Sequence, residues 1–185
     1  MQEAILAFWF GPTPDASREE WFRKDDAFDA EIRTRFEAAV IAALAGQHVD
    51  WAATARGSLA LVLLLDQFTR NIYRGTARAF AGDQAALHTA ETAIAGGLDL
   101  SLRAVERWFL YMPFQHAEDR AMQRRSLELF GKLALETGLD SPLEWAGKHE
   151  RVVARFGRFP HRNAVLGRPS TPEEEAFLRE PGSRF

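Results

Sequence analysis

At 185 residues, with 46% hydrophobic and 26% charged residues, the chain has the make-up of a soluble globular protein, and neither a disordered nor a fibrous architecture is expected. Its 26 acidic against 23 basic residues give a formal net charge of −3, so the surface as a whole is not built for a polyanion. Cysteine is absent, which excludes disulfides, thiolate nucleophiles and cysteine-ligated zinc and agrees with a reducing, cytoplasmic setting.

The opening Met-Gln-Glu lacks the basic stretch and small-residue cleavage site of a secretory signal, and cytoplasmic residence is expected. Apolar residues recur at helical steps of three and four nearly everywhere, and no run alternates strictly, so the expected class is all-α. A first helix covers 2–10, carries Ile5, Leu6, Phe8, Trp9 and Phe10, and stops at Gly11-Pro12. A second helical region covers 15–45 with a break at 24–26; Trp21, Phe22, Phe28, Ile32, Phe36, Val40 and Leu44 mark its buried side, and Gly46 ends it. Between Arg56 and Tyr73 the run 59–65 is apolar on every face, which marks a helix enclosed by others. That run is far shorter than the roughly 20 residues needed to cross a bilayer, and no membrane span is expected.

Asp83 is placed to cap a helix that ends at Gly96-Gly97, and Ser101 to cap another that Pro113 interrupts after Met112. Two further helices are expected over 118–137 and 141–156. The second opens with Ser141-Pro142-Leu143-Glu144, the pattern of a capping box with proline at the first helical position. Thr171-Pro172-Glu173-Glu174 repeats that chemistry before a short closing helix with Phe177 and Leu178, which Pro181-Gly182 ends. Short connections predict antiparallel helix hairpins, stacked as a tetratricopeptide-like array or a bundle in a single domain over 1–185.

Several stretches are long enough to be specific: Leu65-Asp-Gln-Phe-Thr-Arg-Asn71, Arg74-Gly-Thr-Ala-Arg-Ala-Phe80, Tyr111-Met-Pro-Phe-Gln-His-Ala-Glu118, the segment 155–167 and Ser170-Thr-Pro-Glu-Glu174. With Phe8-Trp-Phe10, Trp21-Phe22 and Glu180-Pro-Gly-Ser183 they resemble the bacterial domain-of-unknown-function 924 family over essentially the whole chain. The resemblance implies a tetratricopeptide-like helical fold in a soluble bacterial protein, and it implies no activity. The family pattern has proline where this chain has Thr69, a departure that eases any kink there.

The chemistry-bearing residues fall into three segments. Asp66, Gln67, Arg70 and Asn71 leave the end of the enclosed helix, with Asp66 four residues before Arg70 in the favourable order for a helical ion pair. Alternatively, Asp66 pairs with an arginine of the C-terminal segment and simply satisfies a buried charge. His116 follows the aromatic group Trp108, Phe109, Tyr111 and Phe114, where it would serve as a donor or base. Glu118 and Asp119 read as helix-start acids, and His149, in a stripe with Trp145, Val152 and Phe156, as a core histidine. Between 151 and 172 there is no carboxylate, while Arg151, Arg155, Arg158, His161, Arg162 and Arg168 all lie there. Such a segment needs an anionic partner, either a ligand or the protein's own carboxylates, and both remain open.

The leading expectation is a binding module for a small anion or an acidic peptide terminus. Arg158, His161, Arg162 and Asn163 supply its donors; Asp66, Arg70, Asn71, Tyr111 and His116 complete the wall. The rival is an enzyme that uses Asp66 or Glu118 with His116 or His161 as an acid–base pair on a small phosphorylated or carboxylated substrate. A third class, a structural or assembly protein, would have its arginines taken up by internal carboxylates. No cofactor or metal is expected, because no His-Glu-x-x-His, Gly-x-Ser-x-Gly or phosphate-loop pattern is present. Arg155-Phe-Gly-Arg-Phe159 could stack on bases, but the patch is short and the remainder acidic, so nucleic acid is not an expected partner.

Overall fold

A computed structural model describes residues 1–13 and 17–183, so the expected helix start at Asp15 lies outside the described residues. Eight helices are named here in chain order: α1 Gln2–Phe10, α2 Asp26–Leu44, α3 from Ala55 to Ile72, α4 Asp83–Ala95, α5 Ala104–His116, α6 Arg120–Thr137, α7 Ser141–Phe156 and α8 Pro172–Phe177. Short 3₁₀ turns join several of them, and there is no strand among the described residues. The all-α reading holds, and none of these helices is long and apolar enough to cross a membrane.

The enclosed helix is where its sequence places it. Leu59 through Leu65 are buried on all faces, and α3 packs against α1, α2, α4 and α5. Beneath it an aromatic cluster closes the opposite side of the core. Trp9 meets Phe109 edge-on at 5.4 Å and Phe68 at 5.5 Å, while Trp21 meets Phe109 at 4.7 Å. Such geometry adds directional attraction to the burial of large apolar surfaces. A second, smaller apolar group, Val152, Val153 and Phe159 with Phe156 and Phe177 against it, anchors the C-terminal segment.

Several helix ends differ from expectation, each for a local reason. The stretch before the predicted break holds a 3₁₀ turn, Glu19–Trp21, and α2 begins after it because Asp25 accepts from the N–H groups of Ala27 and Phe28 at 2.9 and 3.0 Å. Ser101 ends a 3₁₀ turn instead of capping α5, which starts at Ala104 with Glu106 accepting from the Arg103 N–H at 3.0 Å. α5 also continues through Pro113 to His116, since packing on all sides offsets the one hydrogen bond that proline removes. Glu118 lies outside α6, whose cap is Asp119. Ser141 is already helical and makes no cap bond, whereas Thr171 and Glu174 form the expected reciprocal pair at 3.2 and 2.8 Å.

Candidate functional site

The middle of α3 does not keep the α pitch. Over Leu63–Phe68 it widens into a π turn, a feature frequently found at functional sites, and Asp66 sits in it with none of its surface exposed. The wide turn frees main-chain carbonyls, and side chains take them up. Thr69 Oγ1 donates to the Leu65 carbonyl at 2.8 Å, and Arg70 Nη1 to the Asp66 carbonyl at 2.8 Å. Thr69 thereby does what a proline at this position could not, because proline carries no donor.

Asp66 Oδ1 lies 2.7 Å from His116 Nδ1 at the last turn of α5, Oδ2 accepts from Gln67 Nε2 at 2.5 Å, and Arg70 Nη1 stands 3.4 Å from Oδ1. Burial on its own would push this carboxyl up, but the charges of Arg70 and His116 outweigh it and hold Asp66 well below the usual carboxylate range. Asp66 is therefore a fixed anion that orients the His116 ring. The other ring nitrogen of His116 has no hydrogen bond within the described residues, and the side chain keeps 11% of its surface exposed.

Gly82 determines what faces this pair. A Cβ there would stand 2.2 Å from the Leu65 carbonyl oxygen, so only glycine lets the start of α4 approach the π turn this closely. The close approach delivers Asp83. Its two oxygens accept from Arg70 Nη1 and Nη2 at 2.9 and 3.1 Å, and Oδ2 also accepts from Arg162 Nη1 at 3.1 Å. Asp83 was expected as a helix cap; the cap is Gly82, which releases the carboxylate for the two arginines.

Arg162 is the least comfortable group of the cluster. It is 6% exposed, its guanidinium lies between the rings of Phe80 and Phe159 at 4.6 and 4.7 Å, and its Nε has no hydrogen-bond partner among the described residues. Burial, with the Arg70 charge added, brings it down to about 10. Around it stand His149, brought down to about 3 by burial and the His116 charge, and His161, brought down to about 4 by burial and Arg162. The ring centres of His116 and His149 are 6.0 Å apart.

Of the nine residues expected at a site, the structure brings Asp66, Arg70, His116, His161 and Arg162 to this junction of α3, α4, α5, α7 and the C-terminal segment. The other four lie elsewhere. Arg158 forks onto Glu174 at 2.7 and 2.8 Å, and Asn163 donates to Ser170 at 3.0 Å and Glu174 at 3.3 Å. Asn71 donates to Asp29, which also holds Arg74, and lines a groove of about 390 Å³ between α2 and the end of α3. Tyr111 is wholly internal: its hydroxyl donates to Asp99 at 2.5 Å, and burial pushes it up to about 12. Gly82, Phe80 and Phe159 were not expected at a site, and Asp83 was expected only as a helix cap.

Much of the junction, with Asp66, Arg70, His116, His161 and Arg162, lies in stretches that resemble the family, and the pattern described as bacterial protein of unknown function (DUF924) matches residues 5–182. The chain belongs to this family. It is also similar to a solved structure of a protein of unknown function, ATU0120 from Agrobacterium tumefaciens, at 44% identity over 96% of each chain and a TM-score of 0.86. No curated protein matches the chain. The DUF924 assignment extends over nearly every helix named above and carries no reaction with it.

Proposed function

We propose that this DUF924 protein binds a small anionic molecule, a phosphate or carboxylate compound, at the junction around His116 and Arg162. The observation that carries this reading is Arg162: a buried guanidinium with an unengaged Nε, in a cluster where Asp66 anchors one nitrogen of His116 and the other has no hydrogen bond among the described residues. A donor left without a partner in a buried place costs free energy, and a ligand oxygen would remove that cost. Arg158 and Asn163 drop out of the ligand-binding set in this reading, because Glu174 already takes their donors. Cytoplasmic residence and a tetratricopeptide-like stacking of the helix pairs complete it, the first supported by the absence of cysteine and the second by short-linked hairpins.

Calorimetric titration of phosphate and small dicarboxylates into wild type, Arg162→Gln and Arg158→Gln, with melting followed in parallel, tests the proposal. Loss of one charge-assisted contact should weaken binding about tenfold to a hundredfold in Arg162→Gln and leave Arg158→Gln near wild type in affinity. Equal affinity in all three, or no binding to wild type, would refute it.

The Asp66–His116 contact favours a second reading, in which His116 is a general base held in one tautomer by a permanently ionised carboxylate. Turnover of a phosphorylated or carboxylated compound that disappears in His116→Gln would separate this reading from binding alone.

A further inference from the structure

Resting on that reading, we infer that the junction takes up its anion together with one proton, which His116 carries. Charged and titratable groups face the imidazole from every element packed against it. α3 contributes Asp66 and Arg70, the start of α4 contributes Asp83, and the C-terminal segment contributes Arg162 and His161. α7 contributes His149 at 6.0 Å, and Glu118 with Arg168 forms a closed pair at 2.5 and 2.9 Å beyond them.

When His116 carries no proton, two arginines face two carboxylates, and the junction has no net charge. Both Nη groups of Arg70 and one of Arg162 are already engaged by Asp83. An anion entering such a neutral, largely buried site would be uncompensated, and an uncompensated buried charge is expensive. Arginines cannot gain charge, and breaking either Asp83 pair would leave that carboxylate exposed to the same penalty. Protonating a carboxylate would add the same charge, but Asp83 is committed to two guanidiniums and Asp66 to Arg70, Gln67 and His116, which leaves an imidazole to supply it.

His149 and His161 are the wrong imidazoles, since burial and the neighbouring cations already oppose their protonation. His116 is the right one. Its Nδ1 faces a fixed carboxylate at 2.7 Å, so a proton on the ring is shared with Asp66 while the outer nitrogen becomes a second donor for the ligand. Binding of the anion and binding of the proton must then strengthen each other by the same factor, because the coupling is reciprocal.

Inorganic sulfate is the suitable probe, since its own charge does not change between pH 5.5 and pH 8.5. Calorimetry in two buffers of different ionisation heat counts the protons taken up. Wild type should take up close to one proton per sulfate at the alkaline end, with affinity falling about tenfold per pH unit there. His116→Gln should bind more weakly, take up none and show a flat pH profile. Nuclear magnetic resonance of the wild-type imidazole, with sulfate shifting the His116 titration upward, gives the same answer without a variant. Sulfate binding to wild type without proton uptake would overturn this inference and leave the anion reading standing; uptake that persists in a folded His116→Gln would reassign the proton and also overturn it. No sulfate binding at any pH would remove both.

Discussion

The C-terminal segment meets the rest of the molecule at two ionic clusters, and they differ in how completely their charges are matched. Around Glu118 and Glu174 every guanidinium finds a carboxylate in fork geometry. Arg168 takes both oxygens of Glu118 and Asn163 Oδ1, Arg158 takes both oxygens of Glu174, and the Phe159 N–H donates to Glu118 at 2.7 Å. The Arg158 contact, with burial acting against it, leaves Glu174 down at about 2. This cluster is a clasp. Around Asp66 and Asp83, by contrast, one carboxylate serves two arginines, Arg162 keeps an unengaged Nε, and the second ring nitrogen of His116 has no hydrogen bond among the described residues. A half-engaged buried network is costly to maintain, and this difference from the clasp is what the proposed anion site rests on.

The comparison is tested most sharply by removing the central anion of each cluster. Asp66→Ala should cost about 3–5 kcal/mol, because it leaves buried positive charge without its counter-ion. Glu118→Ala, in a half-exposed clasp whose arginine can turn to water, should cost about 1–3 kcal/mol. Denaturant unfolding of the two variants measures the difference, and a larger loss for Glu118→Ala would invert the assignment of junction and clasp.

Acid distinguishes the two clusters next. His149 and His161 have folded values lowered to about 3 and about 4, so in the unfolded chain each binds a proton at a higher pH than in the native protein. Stability from this source is present in full above the ordinary histidine range and is lost as the pH falls through about 6.5 toward 4. The carboxylates of the clasp act lower: Glu118 and Glu174 are both lowered, and their contribution disappears only below the ordinary carboxylate range. A loss on the order of 6 kcal/mol between pH 7 and pH 4, half of it from each ring, is expected for wild type. It should be visibly smaller in a His149→Gln, His161→Gln double variant. A wild-type melting temperature that is flat down to pH 4.5 would contradict the buried, neutral state of both rings.

How much of this was legible in the letters follows from the range of the forces involved. The enclosed helix could be read because seven successive apolar residues allow no exposed face, and the Asp66, Arg70 and His116 neighbourhood could be read as polar groups at the ends of apolar helices. What could not be read is pairing across distance. Arg162 reaches Asp83 over 79 residues, and Tyr111 donates to Asp99 and packs its ring against Phe130 of α6. The role of Gly82 depends on a carbonyl of another helix, which no local pattern records. The continuation of α5 through Pro113 is likewise decided by surrounding burial, not by the proline.

The smallest effect tests that same distinction between local pattern and tertiary context. Ser141-Pro-Leu-Glu144 and Thr171-Pro-Glu-Glu174 carry nearly identical start signals, yet only Thr171 accepts a bond from the third residue of its helix, at 3.2 Å. At the other helix Asp140 occupies the cap position with its own backbone in helical geometry, and Ser141 is carried one place inward and makes no cap bond. Thr171→Ala should therefore cost about 1 kcal/mol, as a lost cap does, and Ser141→Ala less than about 0.5 kcal/mol, because alanine is also the better helix former. Since α8 supplies Glu174 to the clasp, the Thr171 variant should also loosen Arg158, and hydrogen exchange should report faster opening of 172–177 while α7 stays protected. Equal losses in the two variants would mean that the reciprocal bond between Thr171 and Glu174 contributes nothing beyond the shared letters.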